Sequence, residues 1–238
     1  MRTAQEIMRE ARVKQAPNGI CYTTVGEVTL PSEDLERMVS AIPRPIAAAL
    51  DRKAFYFVPL TISEGDKTLV AERFDPALTD KAICHRNIDA GEAQCVFIST
   101  RLLDDRFSIA FEFYINVGHA FVEKAGISPA FADLLWQQAA GNVRGESSFD
   151  AFEFRKQATA NAGRVDEKAK SDYLAAAFSD SIAIYLLALC LDVDYYELRE
   201  REYPLLAPFA LAARLKNIAE VFPPNPGFQF NIFYKRRS

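Results

Sequence analysis

Glu112, Asn116, His119 and Glu123 follow one another at spacings of four, three and four residues in RFSIAFEFYINVGHAFVEKAG, Arg106 to Gly126. On a helix, side chains at that spacing share one face, and these are the groups of a metal centre or an acid–base site. His119 and Glu123 alone bring two ligand atoms to one point, fewer than a closed site needs. The only other histidine is His85, in ICHRN. With His85 and either Glu112 or Cys84 added, the donors become a set that Zn²⁺ or Fe²⁺ accepts. Such a centre would polarise a substrate oxygen and activate water, with Glu112 or Glu123 taking the proton, as in a metal-dependent hydrolase. The plainer alternative is a surface ion pair between His119 and Glu123, with His85 at a helix end.

A cysteine nucleophile is a second chemistry. Cys84 or Cys95 would use His119 as base and Glu112 or Asn116 to orient it, because such sites need only convergence in space. Adjacent Cys84 and His85 point apart on a helix, and no motif surrounds either thiol, so a buried, inert thiol is preferred. Asp180 stands alone among apolar residues in AAAFSDSIAIYLL. If buried, it needs a partner or a raised pKa; the flanking Ser179 and Ser181 equally suit a wet face. GNVRGESS, Gly141 to Ser148, lacks the strand-to-helix pattern of a phosphate cradle and reads as a connecting loop.

The elements that must position these groups decide between the schemes. From Arg106 to Val117, apolar residues occupy every odd position and alternate with Arg106, Ser108, Ala110, Glu112, Tyr114 and Asn116. This period of two predicts a strand, paired with AQCVFISTRLL in a hairpin across Asp104 and Asp105. A helix would also have to contain Gly118, at a cost of about 1 kcal/mol relative to Ala. HAFVEKAG then begins a helix, leaving His119 and Glu123 one turn apart at a strand-to-helix corner. Glu112, Tyr114 and Asn116 share a sheet face that could orient a small apolar ligand.

Elsewhere, Thr3 and Glu6 form a capping-box pattern for a helix to about Gln15. GICYTTVGEVTL reads as a strand and PSEDLERMVSAI as an amphipathic helix stopped by PRP. KAFYFVPLTI and LVAERF read as a hairpin, with Pro59 at an edge or bulge. Asp75–Pro76 starts a helix through DPALTDKAICHRNI. Helices are expected over SPAFADLLWQQAAGN, over SSFDAFEFRKQATANAG with its terminal Gly163, from Asp166 to about Leu198, and over PLLAPFALAARLKNIAEVF. GFQFNIFYK predicts a last strand returning to the sheet. YYELREREY is a candidate contact face, read in preference as a helix end laced with ion pairs.

Half of the 238 residues are hydrophobic and a quarter charged, the balance of a globular chain. A net charge of −4 leaves no electrostatic footprint for nucleic acid, and the basic YKRRS end is too short to supply one. The opening MRTAQEIMREARVKQ has no apolar core like a secretion signal. The most apolar run, Ile182 to Leu191, is shorter than the roughly 20 residues of a membrane span. The four cysteines show no CxxC spacing. The expectation is a cytoplasmic protein with reduced thiols.

Strands in the first half and helices in the second predict one α+β domain, with a mainly antiparallel sheet completed by the C-terminal strand and packed on a helical layer. The 141–148 stretch marks a possible subdivision. The segments 182–191 and 204–215 are apolar on more than one face, which suggests a homo-oligomer. The function expected is binding or interaction. The alternatives are the hydrolase centred on His119, Glu123, His85 and Glu112, and a binder of a small apolar ligand.

Overall fold

The structure, a computed structural model, describes residues 1–65, 67–160, 164–198 and 203–233. The YKRRS end, Gly163 and the charged part of YYELREREY (199–202) lie outside the described residues. Strands concentrate before residue 100 and helices after it, so the class is α+β. The chain divides into two compact units, Met1–Asn116 and Val117–Ser238. The division falls inside one long helix; the 141–148 stretch lies within the second unit.

The first unit begins with β1 (Arg2–Thr3) and α1 (Ala4–Glu10), and the Thr3–Glu6 capping box is formed. The helix is shorter than its pattern suggests, because Lys14–Gln15 (β2) pair with Cys21–Tyr22 at the start of β3 (Cys21–Thr24). Next come α2 (Ser32–Ser40), α3 (Arg44–Ala48) and β4 (Lys53–Val58). The PRP sequence ends α2 but also starts α3, with Pro45 in its first turn, where a missing N–H costs nothing.

The expected hairpin is split at Pro59. β5 (Leu60–Glu64) and β6 (Lys67–Ala71) do pair, but β4 belongs to a different sheet. The proline, without an N–H for the ladder, sits where the chain leaves one sheet for the other. Beyond Asp75, whose carboxylate caps the N–H of Ala77, only a 3₁₀ turn forms, over Pro76–Lys81. The expected helix gives way to β7 (Ala82–Ile83) and β8 (His85–Ala90), claimed by pairing with β5 and with β9 (Ala93–Ser99).

One sheet, in the order β1-β6-β5-β7, is antiparallel throughout. The other, β2-β3-β4-β9-β8, is mixed: its centre, β3-β4-β9, is parallel and its two edges are antiparallel. The α2–α3 segment is the crossover that a parallel β3–β4 pair requires. Central strands covered on both faces become continuous apolar runs, which explains the buried FYFV of β4 and CVFIS of β9. The edge strand β8 carries exposed His85, Arg86 and Asp89, which discourage further pairing.

In the second unit, α6 (Pro129–Ala140), α7 (Phe149–Thr159) and α9 (Pro208–Val221) pack around α8 (Glu167–Cys190), the central element. Ser128 and Pro129 start α6 as the sequence indicates. α8 has the length and apolarity of a membrane span, but 83% of that stretch is buried inside the protein, as in a core helix. Residues 182–190 are all buried by the chain itself, which meets their need for cover. The C-terminal strand, β11 (Ile232–Phe233), does not return to the large sheets; it pairs in parallel with β10 (Val193–Asp194).

The principal correction concerns 106–117. After the single turn of α4 (Thr100–Leu103), Arg106–Ala125 is one helix, α5. Asp104 and Asp105 make no hairpin. Asp104 takes the left-handed conformation at the end of α4, and Asp105 accepts from the N–H of Ser108 at 2.9 Å, capping α5. Ile109, Ala110, Phe113, Tyr114, Val117, Ala120 and Phe121 are buried, a helical stripe that the odd–even alternation concealed. Gly118, counted against a helix, has a positive reason to be there. A Cβ at Gly118 would lie 2.4 Å from the carbonyl oxygen of Ser179, so only glycine lets α5 and α8 approach this closely.

Gly118→Ala is therefore expected to lower the unfolding free energy by about 1–3 kcal/mol through overpacking, against the gain of about 1 kcal/mol that helix propensity alone would give. Equilibrium urea denaturation measures the sign; a stabilised variant would rule out the close crossing.

Candidate functional site

The helical form of α5 regroups the residues singled out from the sequence. Glu112, on α5, receives His85 from the edge strand β8, with His85 Nδ1 to Glu112 Oε1 at 2.5 Å. Asn116, one turn on, donates to the Glu112 carbonyl at 2.9 Å and to its carboxylate at 3.3 Å. Cys84 adjoins His85, and its thiol is pushed up from its ordinary pKa by partial burial first and by the Glu112 charge second. A raised thiol pKa is the reverse of what a cysteine nucleophile requires. Cys95, the other candidate, is buried, and burial raises its thiol too.

Tyr114 leaves the proposed ligand-orienting face. Two residues along a helix turn it away from Glu112 and Asn116. It is fully buried, and its hydroxyl donates to the carbonyl of Met38 at 2.8 Å. His119 and Glu123 do lie one turn apart, both exposed on α5, in the second unit. Among the described residues no three His, Cys, Asp or Glu side chains converge to hold a metal; of the expected donor set, His85 and Glu112 belong to the first unit and His119 and Glu123 to the second. What remains is a carboxylate–imidazole pair that orients the His85 ring. It lines neither of the two cavities described below.

The second unit holds a group of charges that the sequence scarcely announced. Glu146, fully buried in the 141–148 loop, accepts from Arg155 of α7 and Arg214 of α9, each at 3.0 Å. Tyr173 of α8 donates to the same carboxylate at 3.0 Å. The Arg214 Nε donates to Gln138 of α6 at 2.7 Å, and Gln138 donates to the carbonyl of Ala210. One weak signal existed: Arg214 falls within the stripe Ala210, Leu211, Leu215 and Ile218 that forms the buried face of α9. Glu146 had none, because its loop looked like a connector. Gly145 takes a left-handed conformation there, which glycine adopts without strain, and a Cβ at this position would meet the carbonyl oxygen of Leu205 at 2.2 Å.

Asp180 is buried, not on a wet face, and accepts from the Ser147 hydroxyl at 2.9 Å. Burial pushes its pKa up to about 6, while hydrogen bonds from Ser148 and Ser147 and the Arg214 charge pull it down, and Glu146 opposes them.

Two cavities accompany these groups. One, about 420 Å³, is an open polar pocket of the first unit bordered by Arg2, Arg12, Lys14 and Thr23; its Arg2 is already paired with Glu10 and Glu72. The other, about 370 Å³, is an apolar groove within the second unit. Phe121 from α5, Phe131 from α6, Phe178 from α8 and Phe222 just after α9 form its walls. Phe121 meets Phe178 and Phe222 edge-on, with centroids 6.3 and 5.3 Å apart. Phe131 contacts Phe178 at 4.5 Å. Ile218 and Val221 line the groove from α9, and Val221 is 54% exposed at its lip. No local pattern could have revealed it, since the four rings come from four separate segments.

Two outcomes follow. Glu112→Gln removes the charge that disfavours the Cys84 thiolate, so alkylation of Cys84 by iodoacetamide at about pH 8 should be faster than in the unsubstituted protein. An unchanged rate would mean that Glu112 and Cys84 do not interact. For Asp180 the folded pKa lies above the unfolded one, so the folded state holds a proton that the unfolded chain releases. Stability should fall as pH rises from about 4 to about 6. Asp180→Asn should remove that slope, worth up to about 3 kcal/mol, in denaturant titrations across this range. No protein-family model matches the chain, and no curated protein matches it in sequence, so a functional conclusion rests on these sites alone.

Proposed function

We propose that this chain is a binding protein whose second unit takes a small apolar molecule into the groove between α5, α6, α8 and α9. The observation that carries this reading is the wall of four phenylalanines around about 370 Å³, a volume within the usual range of small-molecule sites. Aromatic edges and faces offer large apolar area at little entropic cost. The site replaces the sheet face of Glu112, Tyr114 and Asn116 as the place where such a ligand would lodge. Among the described residues no group of three metal-ligating side chains supports a hydrolytic role centred on His119, Glu123, His85 and Glu112. Self-association remains compatible with the groove, since α9 also exposes Phe209.

Titration with N-phenyl-1-naphthylamine, a neutral dye that brightens in apolar surroundings, tests the proposal. The dye should bind the unsubstituted protein. Val221→Glu should weaken binding about tenfold or more, because a carboxylate at the lip must lose water when the groove fills. Val221 is exposed, so the variant should keep its melting temperature. Equal binding by both proteins, or none by either, would overturn the assignment. Sedimentation velocity on the same samples separates ligand uptake from pairing of copies through α9.

A further inference from the structure

The groove's lining also bears on what kind of apolar molecule it takes, given the binding role proposed above. Its polar side chains are Ser128 and Asn217, and no Asp, Glu, Lys, Arg or His is among its lining residues. The Ser128 oxygen already accepts from the N–H of Phe131 as the cap of α6. Asn217, half-buried on α9 beside Ile218, makes no side-chain hydrogen bond to another described residue.

We infer that the groove selects neutral ligands carrying one hydrogen-bonding group, held by the Asn217 amide, and discriminates against anions with the same apolar body. An amide both donates and accepts, so it can satisfy a hydroxyl, a carbonyl or another amide that leaves water with the ligand. A carboxylate would surrender its hydration and meet no cation in return. The start of α6 adds some positive potential at the lip. That end is largely spent, since Pro129 has no N–H and Ser128 already takes the N–H of Phe131.

The experiment is competition against bound N-phenyl-1-naphthylamine by naphthalene, 2-naphthol and 2-naphthoate, three ligands with one body and different heads. At about pH 7.5 the naphthol is neutral and the naphthoate ionised. 2-Naphthol should bind most tightly, naphthalene next, and 2-naphthoate at least tenfold more weakly than the naphthol. Asn217→Leu, close in size and on a half-exposed helix face, should erase the advantage of naphthol over naphthalene, about threefold to tenfold. Naphthoate binding as tightly as naphthol would overturn the inference, as would an unaltered naphthol-to-naphthalene ratio in Asn217→Leu. Either result leaves the groove as a binding site. Failure of the dye and all three competitors to bind removes the groove reading and this inference with it.

Discussion

A carboxylate with no access to water sets the geometry of the second unit. Glu146 is fully buried, and an ion removed from water costs several kcal/mol unless charge and hydrogen bonds replace its hydration. Arg155, Arg214 and Tyr173 supply them from three different helices, and Gln138 from a fourth continues the chain of bonds. Removing one partner would strand the others, at a cost of about 3–5 kcal/mol. The gain from such a cluster lies in position more than in net stability. The loop carrying Glu146 is anchored in turn, because its backbone pairs with the segment just before α9: Leu206 donates to the carbonyl of Glu146, and Glu146 donates to that of Pro204.

The same helices build the groove. α6 gives Gln138 to the polar cluster and Phe131 to the groove; α8 gives Tyr173 to the one and Phe178 to the other. α9 turns Arg214 inward and brings Asn217, Ile218 and Val221 to the groove lining. A helix pinned by a guanidinium that donates both to Gln138 and to Glu146 has little freedom to rotate, so the polar cluster holds the aromatic walls in place. Such pre-organisation would favour the binding proposed for the groove, because less side-chain and backbone freedom would remain to be lost when a ligand enters. The close crossing of α5 and α8 at Gly118 adds a second constraint on the wall that bears Phe121.

In the first unit the controlling features are backbone ones. Pro59 separates two sheets, and the α2–α3 crossover makes the centre of the larger one parallel. His85 meets Glu112 because β8 is an edge strand whose side chains remain open to the neighbouring helix. Among the described residues no third ligand joins this pair, and partial burial and the Glu112 charge hold the pKa of the neighbouring Cys84 thiol up rather than activating it; the contact orients an imidazole.

The sequence by itself determined the α+β class and several helix starts, because those depend on neighbours three or four residues apart. Thr3 with Glu6, Asp75 before Pro76, and Ser128 before Pro129 are short-range bonds whose partners lie within one turn. It also isolated Asp180 as a charge needing partners, though not the serine loop that supplies them. The alternation from Phe107 to Val117 misled because Ala110, Tyr114 and Asn116, between the apolar positions, are buried as well. A helix buried along a broad stripe and a strand buried on one face can share that pattern. Only the tertiary structure chose between them, through the pairing of β9 with β4 and β8 and the contact at Gly118; the Asp105 cap on Ser108 is a local bond that the alternation overshadowed. The groove and the Glu146 cluster were likewise decided there, since their members are distant along the chain and become neighbours only when the helices pack.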